Sequence, residues 1–459
     1  MSASSTRRRK QSDFGCSECG WSTPKWVGRC AGCGAWGSVV EAVSTVDLTV
    51  AGGSGPGPVR PIGEVSADEA EHRATQIAEL DRVLGGGVVP GSVVLVAGEP
   101  GVGKSTLLLD VAARSAQAGA RALYVSGEES AAQVRARAGR IGALADDLFL
   151  AAESDLAGVL AHVESVAPSL LVLDSVQTVS MPSADGAAGG VAQVREVTAA
   201  LVRVAKARAM SVLLVGHVTK DGAIAGPRTM EHLVDVVLSF EGDRHSRLRL
   251  LRALKNRFGP ADEVGCFDLG DDGLTGLTDA SSLFVNSRSD PVPGTCVTVA
   301  IEGRRPLVAE VQALVAPSPL AAPRRATSGL DTSRTAMVLA VLERRAGVRL
   351  ADRDVFAATV GGLRLTEPAA DLALSLAVAS AAHDLAVRPR WVAFGEVGLT
   401  GEVRQVQGLP QRLAEAARLG FEVAIVPSSS AARAPEGMRC LAVPDVLAAV
   451  NLLRPGSTS

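Results

Sequence analysis

The sequence predicts an α/β protein with a mostly parallel sheet, a four-cysteine knuckle before it and an α+β domain after it. Three observations carry this. The first is Gly98-Glu99-Pro100-Gly101-Val102-Gly103-Lys104-Ser105-Thr106, set between the apolar run Val93–Ala97 and a helical pattern from Leu107 to Ala113. The second is a series of apolar runs, Ala122–Ser126, Ser169–Asp174 and Ser211–Gly216, that read as core strands. The third is a pair of Cys-x2-Cys knuckles, Cys16/Cys19 and Cys30/Cys33.

Composition narrows the classes. A chain of 459 residues with 47% hydrophobic and 21% charged residues holds two or three globular domains. A net charge of -3 confines any nucleic-acid surface to a local patch or a pore. No stretch of 18 uncharged apolar residues occurs, so no membrane partner is expected; the densest region, 372–387, is broken by His383 and Asp384. The basic start Arg7-Arg8-Arg9-Lys10 lacks the apolar region of a secretory leader and reads as a solvated tail, with DNA contact as the rival reading. Cys266, Cys296 and Cys440 are scattered and read as core; without a disulfide framework, a cytoplasmic location fits. Six lysines stand against forty arginines, and none follows Lys255.

Taken in order, residues 1–45 form the metal module. Four thiolates suit tetrahedral Zn²⁺ and leave no open position for chemistry, so the zinc is structural; a redox Cys-x2-Cys is the alternative. Trp21, Trp26 and Trp36 are expected to pack into its small core. Residues 46–60 are a Gly/Pro-rich linker, and 61–285 form the nucleotide domain. Its strand–loop–helix is a phosphate loop: glycines let backbone N–H groups curl toward phosphate oxygens, and the helix N-terminus adds positive charge. Gly98 through Thr106 would cradle ATP, Lys104 reaching the β- and γ-phosphates and Ser105 holding Mg²⁺. Asp174, delivered by an apolar strand, would hold the Mg²⁺ shell from the other side.

Glu128 and Glu129 follow the next strand in the chain. One of them positions the attacking water, with Glu128 taken as that residue, or the two simply favour a helix N-terminus. Residues 180–190 are small, polar and Gly-rich and are expected to form a mobile loop. His217 serves either as a γ-phosphate sensor or as an ordinary strand-end histidine. Leu248–Leu254 alternates as an edge-region strand would, and runs into Lys255-Asn256-Arg257-Phe258-Gly259.

The knuckle, the phosphate loop, the Asp174 strand and this Lys-Asn-Arg-Phe-Gly block together resemble the bacterial RadA (Sms) family of RecA-like DNA repair and recombination proteins, over essentially the whole chain. The resemblance implies a RecA-like core assembled as a ring, a hexamer, with ATP at subunit interfaces. It implies that Lys255 and Arg257 reach a neighbour's ATP. The loops 180–190 and 220–228 fall where RecA-like proteins hold single-stranded DNA, and Lys220 and Arg228 are the expected phosphate contacts. Neither loop has an aromatic residue, so stacking by these loops is not expected.

Residues 286–459 resemble the proteolytic domain of Lon. That chemistry needs a serine activated by a neutral lysine. Ala370 stands at the serine's place, Pro410 near the lysine's, and the domain has no lysine, so the dyad cannot form within it. The domain reads as a structural and oligomerisation platform. The combined expectation is an ATP-driven ring motor on single-stranded and branched DNA that promotes branch migration alongside a RecA-type recombinase, with ATP, Mg²⁺ and Zn²⁺ as cofactors. The alternatives are an ATP-switched scaffold and an ATP-dependent protease.

Overall fold

In a computed structural model, the described residues are 14–16, 21–23, 27–36, 38–41, 61–64, 71–184, 186–217, 230–242, 246–278, 291–360, 363–430, 434–454 and 456. Contacts divide the chain into two compact units, Met1–Ser66 and Ala67–Ser459. The expected linker 46–60 and the expected boundary at 285/286 lie outside the described residues.

The first unit carries three short antiparallel strands, β1 (Phe14–Cys16), β2 (Ser22–Thr23) and β3 (Val39–Glu41), ordered β2-β1-β3. Cys16, Cys30 and Val39 form its buried core, with Phe14, Trp21 and Val27 against them. Trp36 departs from expectation: it is 77% exposed. Its ring meets the Arg29 guanidinium, 5.7 Å from the ring centroid, rather than the core.

The second unit begins with helix α1 (Ala78–Leu84), ended by Gly85 in the left-handed region. Strand β4 (Val93–Gly98) follows, buried at every position, then α2 (Lys104–Gln117). Next come β5 (Ala122–Ser126), α3 (Ala131–Arg140), β6 (Leu148–Ala152), α4 (Leu156–Val166), β7 (Leu170–Asp174), α5 (Val191–Arg208) and β8 (Ser211–His217). The sheet then gains β9 (Val236–Glu241), β10 (Leu248–Asn256), β11 (Val264–Gly270) and β12 (Gly273–Gly276).

These strands form one nine-stranded sheet, ordered β12-β11-β10-β9-β4-β8-β7-β5-β6. The run from β9 to β6 is parallel; β10, β11 and β12 add antiparallel. Valine and leucine dominate β4, β7 and β8 because helices cover both faces of a parallel sheet. β10 lies in the edge region, third from the β12 edge, and is paired on both sides; its Arg249 is buried, giving its guanidinium protons to the carbonyls of Val102, Ser246 and Leu248. Alternation there reflects charges with fixed partners rather than an open face.

The rest of the unit is built on β13 (Thr295–Glu302) and β14 (Arg305–Pro317), then β15 (Arg325–Ser328), α6 (Thr332–Ala346) and β16 (Arg353–Thr359). After these come α7 (Asp371–His383), β17 (Trp391–Ala393), a two-stranded β18 (Glu396–Val397) and β19 (Val403–Arg404), α8 (Leu409–Arg418), β20 (Val423–Pro427), β21 (Arg439–Val443) and α9 (Val446–Asn451). The seven-stranded sheet runs β15-β16-β14-β13-β17-β20-β21. The segments carrying Ala370 and Pro410 are tied by an ion pair: Arg412, 2% exposed, donates at 2.6 Å to both carboxylate oxygens of Glu367.

The two sheets are continuous in their packing. Leu248 and Cys266 of the first sit in the same apolar cluster as the core of α6, α7 and α9. At this seam Arg305 pairs with the buried Glu79 carboxylate and donates to the Leu277 and Thr278 carbonyls at 2.7 and 2.9 Å. Glu79 also accepts the Cys266 N–H at 2.8 Å. Removing one partner of a buried pair strands the other charge, at a cost of about 3–5 kcal/mol. Arg305→Ala is therefore expected to lower the urea midpoint of the second unit. An unchanged midpoint would show that the pair does not hold the seam.

Candidate active site

Register brings the site to one edge of the sheet. Gly98 stands opposite His217 on β8 and Phe240 on β9, while Ser126 stands opposite Asp174. All are carboxyl ends of parallel strands, where an open α/β sheet leaves a crevice for ligand. A side chain at Gly98 would collide with the Phe240 carbonyl at 2.3 Å, and Gly101 and Gly103 have φ of +85° and +107°. The loop therefore needs glycine at these positions for close approach and for left-handed backbone. Glu99, Pro100 and Gly101 are exposed, Val102 is buried, and Ser105 and Thr106 are half-buried on the first turn of α2.

Lys104 is 4% exposed and donates to the Gly98 and Glu99 carbonyls at 2.7 and 2.9 Å. Burial pushes its ammonium down to about 8, against the opposing pull of the Asp174 and Glu128 carboxylates. Asp174 is itself buried and accepts the Tyr124 hydroxyl at 2.6 Å. Burial, and then the Asp174 carboxylate, push the Tyr124 hydroxyl well up, so the phenol stays a donor.

The two adjacent glutamates part company. Glu129 pairs with Arg137. Glu128 accepts the Ser175 hydroxyl at 2.6 Å and faces His217 Nε2 at 3.0 Å. Ser175 is fully buried, and His217 Nδ1 is buried without a hydrogen-bond partner among the described residues. Ser175 and Tyr124 are the contacts that sequence reasoning missed. A hydroxyl directly after Asp174 and the chain's only tyrosine, on the strand beside it, were the available signals.

Lys255 and Arg257 are elsewhere. Lys255 donates to the Glu231 and Val234 carbonyls at 2.6 and 2.7 Å, and Arg257 pairs with Asp235 at 3.0 Å. Asp235 in turn accepts the Val93 N–H at 3.1 Å, at the start of β4. Asn256 stands opposite Val236, which stands opposite Val94. Four strand residues, about 13 Å, separate that level from Gly98. Within one chain these cations do not join the phosphate loop. Lys220 and Arg228 lie outside the described residues, and the 180–190 loop is gathered by Gln193, which donates to the Met181, Ala184 and Gly186 carbonyls.

In the first unit Cys16, Cys30 and Cys33 bring their sulfurs within 4.8 Å of one another, and Cys16 and Cys33 are 3.7 Å apart. Zn–S bonds of about 2.3 Å give a tetrahedron with edges of about 3.8 Å, whereas a disulfide would need about 2.05 Å. The donor set therefore fits zinc; Cys19 lies outside the described residues.

Family models match three parts of the chain: a rubredoxin metal binding domain at residues 14–41, an AAA domain at 59–223, and subunit ChlI of Mg-chelatase at 359–430. The DNA repair protein RadA of Mycolicibacterium smegmatis is 54% identical across 97% of both chains. The chain belongs to the RadA family. RadA of Halalkalibacterium halodurans is 45% identical over 92% of this chain and 93% of its own, and that of Streptococcus pyogenes serotype M1 is 43% identical over 96% and 99%. The RadA resemblance read from the motifs is thus a full-length family relationship. The C-terminal domain is the family's ChlI- and Lon-like module. Among the described residues no helix is long and apolar enough to cross a membrane.

The described residues give the metal module little core of its own, so a bound metal is expected to supply much of its folding energy. Chelation of the zinc-loaded chain is expected to deprotect amides of residues 14–41 in hydrogen exchange while strands β4 and β8 stay protected. Protection of 14–41 that survives metal removal would show that the module folds without it.

Proposed function

We propose that this chain is a DNA repair ATPase that acts as a ring-shaped motor on single-stranded DNA and promotes branch migration of recombination intermediates. The observation that carries the reading is the meeting of Lys104, Asp174 and Glu128 at the carboxyl edge of a parallel sheet, beside a phosphate loop. ATP would lie along Gly98–Thr106, its phosphates taking the loop's N–H groups. The Lys104 ammonium would leave its own loop carbonyls for the β- and γ-oxygens. Mg²⁺, held from Ser105 and Asp174, would neutralise charge on those oxygens. Tyr124 would hold Asp174 in place for that role.

Glu128 is the residue assigned to the water. Its carboxylate is already oriented by Ser175 and His217, whereas Glu129 is occupied by Arg137. A carboxylate within hydrogen-bond reach of the nucleophile orients it and accepts its proton. Lys255 and Arg257, remote from their own phosphate loop, suit the site of a neighbouring subunit, where cations stabilise the transferring phosphoryl charge. This makes a ring a chemical requirement of the reading. The loops bearing Lys220 and Arg228 would track the phosphate backbone of single-stranded DNA.

The lysine-free C-terminal domain supports the motor over a protease: it offers no lysine base for a Lon-type serine nucleophile. The scaffold reading differs only in the link between hydrolysis and DNA. Single-stranded DNA is expected to stimulate ATP hydrolysis, and Lys104→Ala to abolish it. Lys255→Ala alone is expected to lose turnover while still binding nucleotide, and mixing it with Lys104→Ala is expected to restore part of the activity through hybrid interfaces. Hydrolysis indifferent to DNA would favour the scaffold. Mixing without recovery would sink the shared site.

The buried lysine adds a pH test. Free Lys104 releases its proton near pH 8, below the usual lysine value, and phosphate contact favours the ammonium. Binding should therefore take up a proton between about pH 8 and 10, and nucleotide affinity should fall as pH rises through that window. Calorimetry in two buffers of different ionisation heat reads the uptake directly. Equal heats at pH 8.5 would contradict proton uptake by Lys104 on nucleotide binding.

A further inference from the structure

Trp36 stands outside the core its module forms. It is 77% exposed, whereas the other exposed aromatics among the described residues, Phe149 and Phe356, stand at 38%. The indole is also held rather than loose. An antiparallel bridge joins Trp36 to Arg29, and Arg29 Nε donates to the Gly34 carbonyl at 3.0 Å. This fixes the guanidinium 5.7 Å from the ring centroid and leaves the ring otherwise open to solvent. Among the described residues the terminal nitrogens of Arg29 have no hydrogen-bond partner.

Charge points to the class of ligand. Residues 1–45 hold six Lys and Arg against three Asp and Glu, while the rest of the chain holds 40 against 46. A basic module on an otherwise acidic chain favours a polyanion. An open aromatic face beside a guanidinium with open terminal nitrogens is the pairing that single-stranded nucleic acid uses: a base stacks and the adjoining phosphate takes the cation. Duplex DNA keeps its base faces covered by their neighbours and offers the ring no partner. The loops 180–190 and 220–228 lack aromatic residues, so they leave this role open.

We propose that Trp36 is a stacking platform for an unpaired base of single-stranded DNA, with Arg29 holding the adjoining phosphate. This rests on the DNA-binding reading above, but places a contact in the zinc module that channel loops do not supply.

The test uses the full-length, zinc-loaded chain and fluorescently labelled oligo-dT. Trp36→Ala is expected to weaken binding about 5- to 100-fold, Trp36→Phe to recover most of it, and basal hydrolysis without DNA to stay unchanged. Oligo-dT is expected to quench the emission of the wild type more than that of Trp36→Phe. If Trp36→Ala binds as tightly as the wild type while Lys220→Ala is weakened, the stacking proposal fails alone. If Trp36→Phe retains zinc yet binds no better than Trp36→Ala, an aromatic face is not the determinant and the proposal falls. If the wild type binds no oligo-dT at all, the DNA reading itself falls, and this proposal with it.

Discussion

A triphosphate carries concentrated negative charge, and the nine-stranded core of this molecule is arranged around a place suited to receive it. Parallel pairing aligns the ends of β4, β8, β7 and β5, so that Gly98, His217, Asp174 and Ser126 reach the same edge. That alignment is paired backbone, with strands buried on both faces, and it cannot be shifted locally without unpacking the core. It explains why a buried lysine is tolerable. Lys104 lies among backbone carbonyls and within reach of two carboxylates, which offset part of the cost of taking an ammonium out of water.

The same rigidity extends beyond the nucleotide domain. The Glu79–Arg305 pair and the shared apolar cluster make the C-terminal domain part of one compact unit with the nine-stranded sheet. Arg252 reinforces the seam, pairing with Glu241 within the first sheet and with Glu302 of β13. A domain fixed in this way is suited to carry a strain rather than to swing on a hinge. Its own ion pairs, Arg412 with Glu367 and Arg334 with Asp371, occupy the neighbourhood of Ala370 with satisfied charges rather than with a nucleophile and base.

Much of this was legible in the sequence because the signals are local. The strands Val93–Gly98 and Ala122–Ser126 and the helix after the phosphate loop stand where the apolar runs and the helical pattern set them. Where the sequence misled, the cause was a partner distant in the chain. The alternation of Arg249 and Arg252 marked an edge-region strand, but not that β11 pairs beyond it and that each arginine has its own acceptor. Trp36 looked like core because a small module needs apolar residues, yet the cysteine cluster, Val39, Phe14, Trp21 and Val27 already fill it.

The sequence by itself determined the chemistry available: a phosphate loop between strand and helix, a strand-borne Asp174, a cysteine cluster, and a C-terminal domain without lysine. These depend on residue type and short spacing, which the chain carries wherever it folds. Only the tertiary structure decided which neighbours those groups keep. It sent Glu128 to Ser175 and His217 but Glu129 to Arg137, set Tyr124 on Asp174, and placed Lys255 and Arg257 at the far end of β4 from their own phosphate loop. The reason is that strand order and register are long-range: β4 sits between β8 and β9, more than a hundred residues away in the chain.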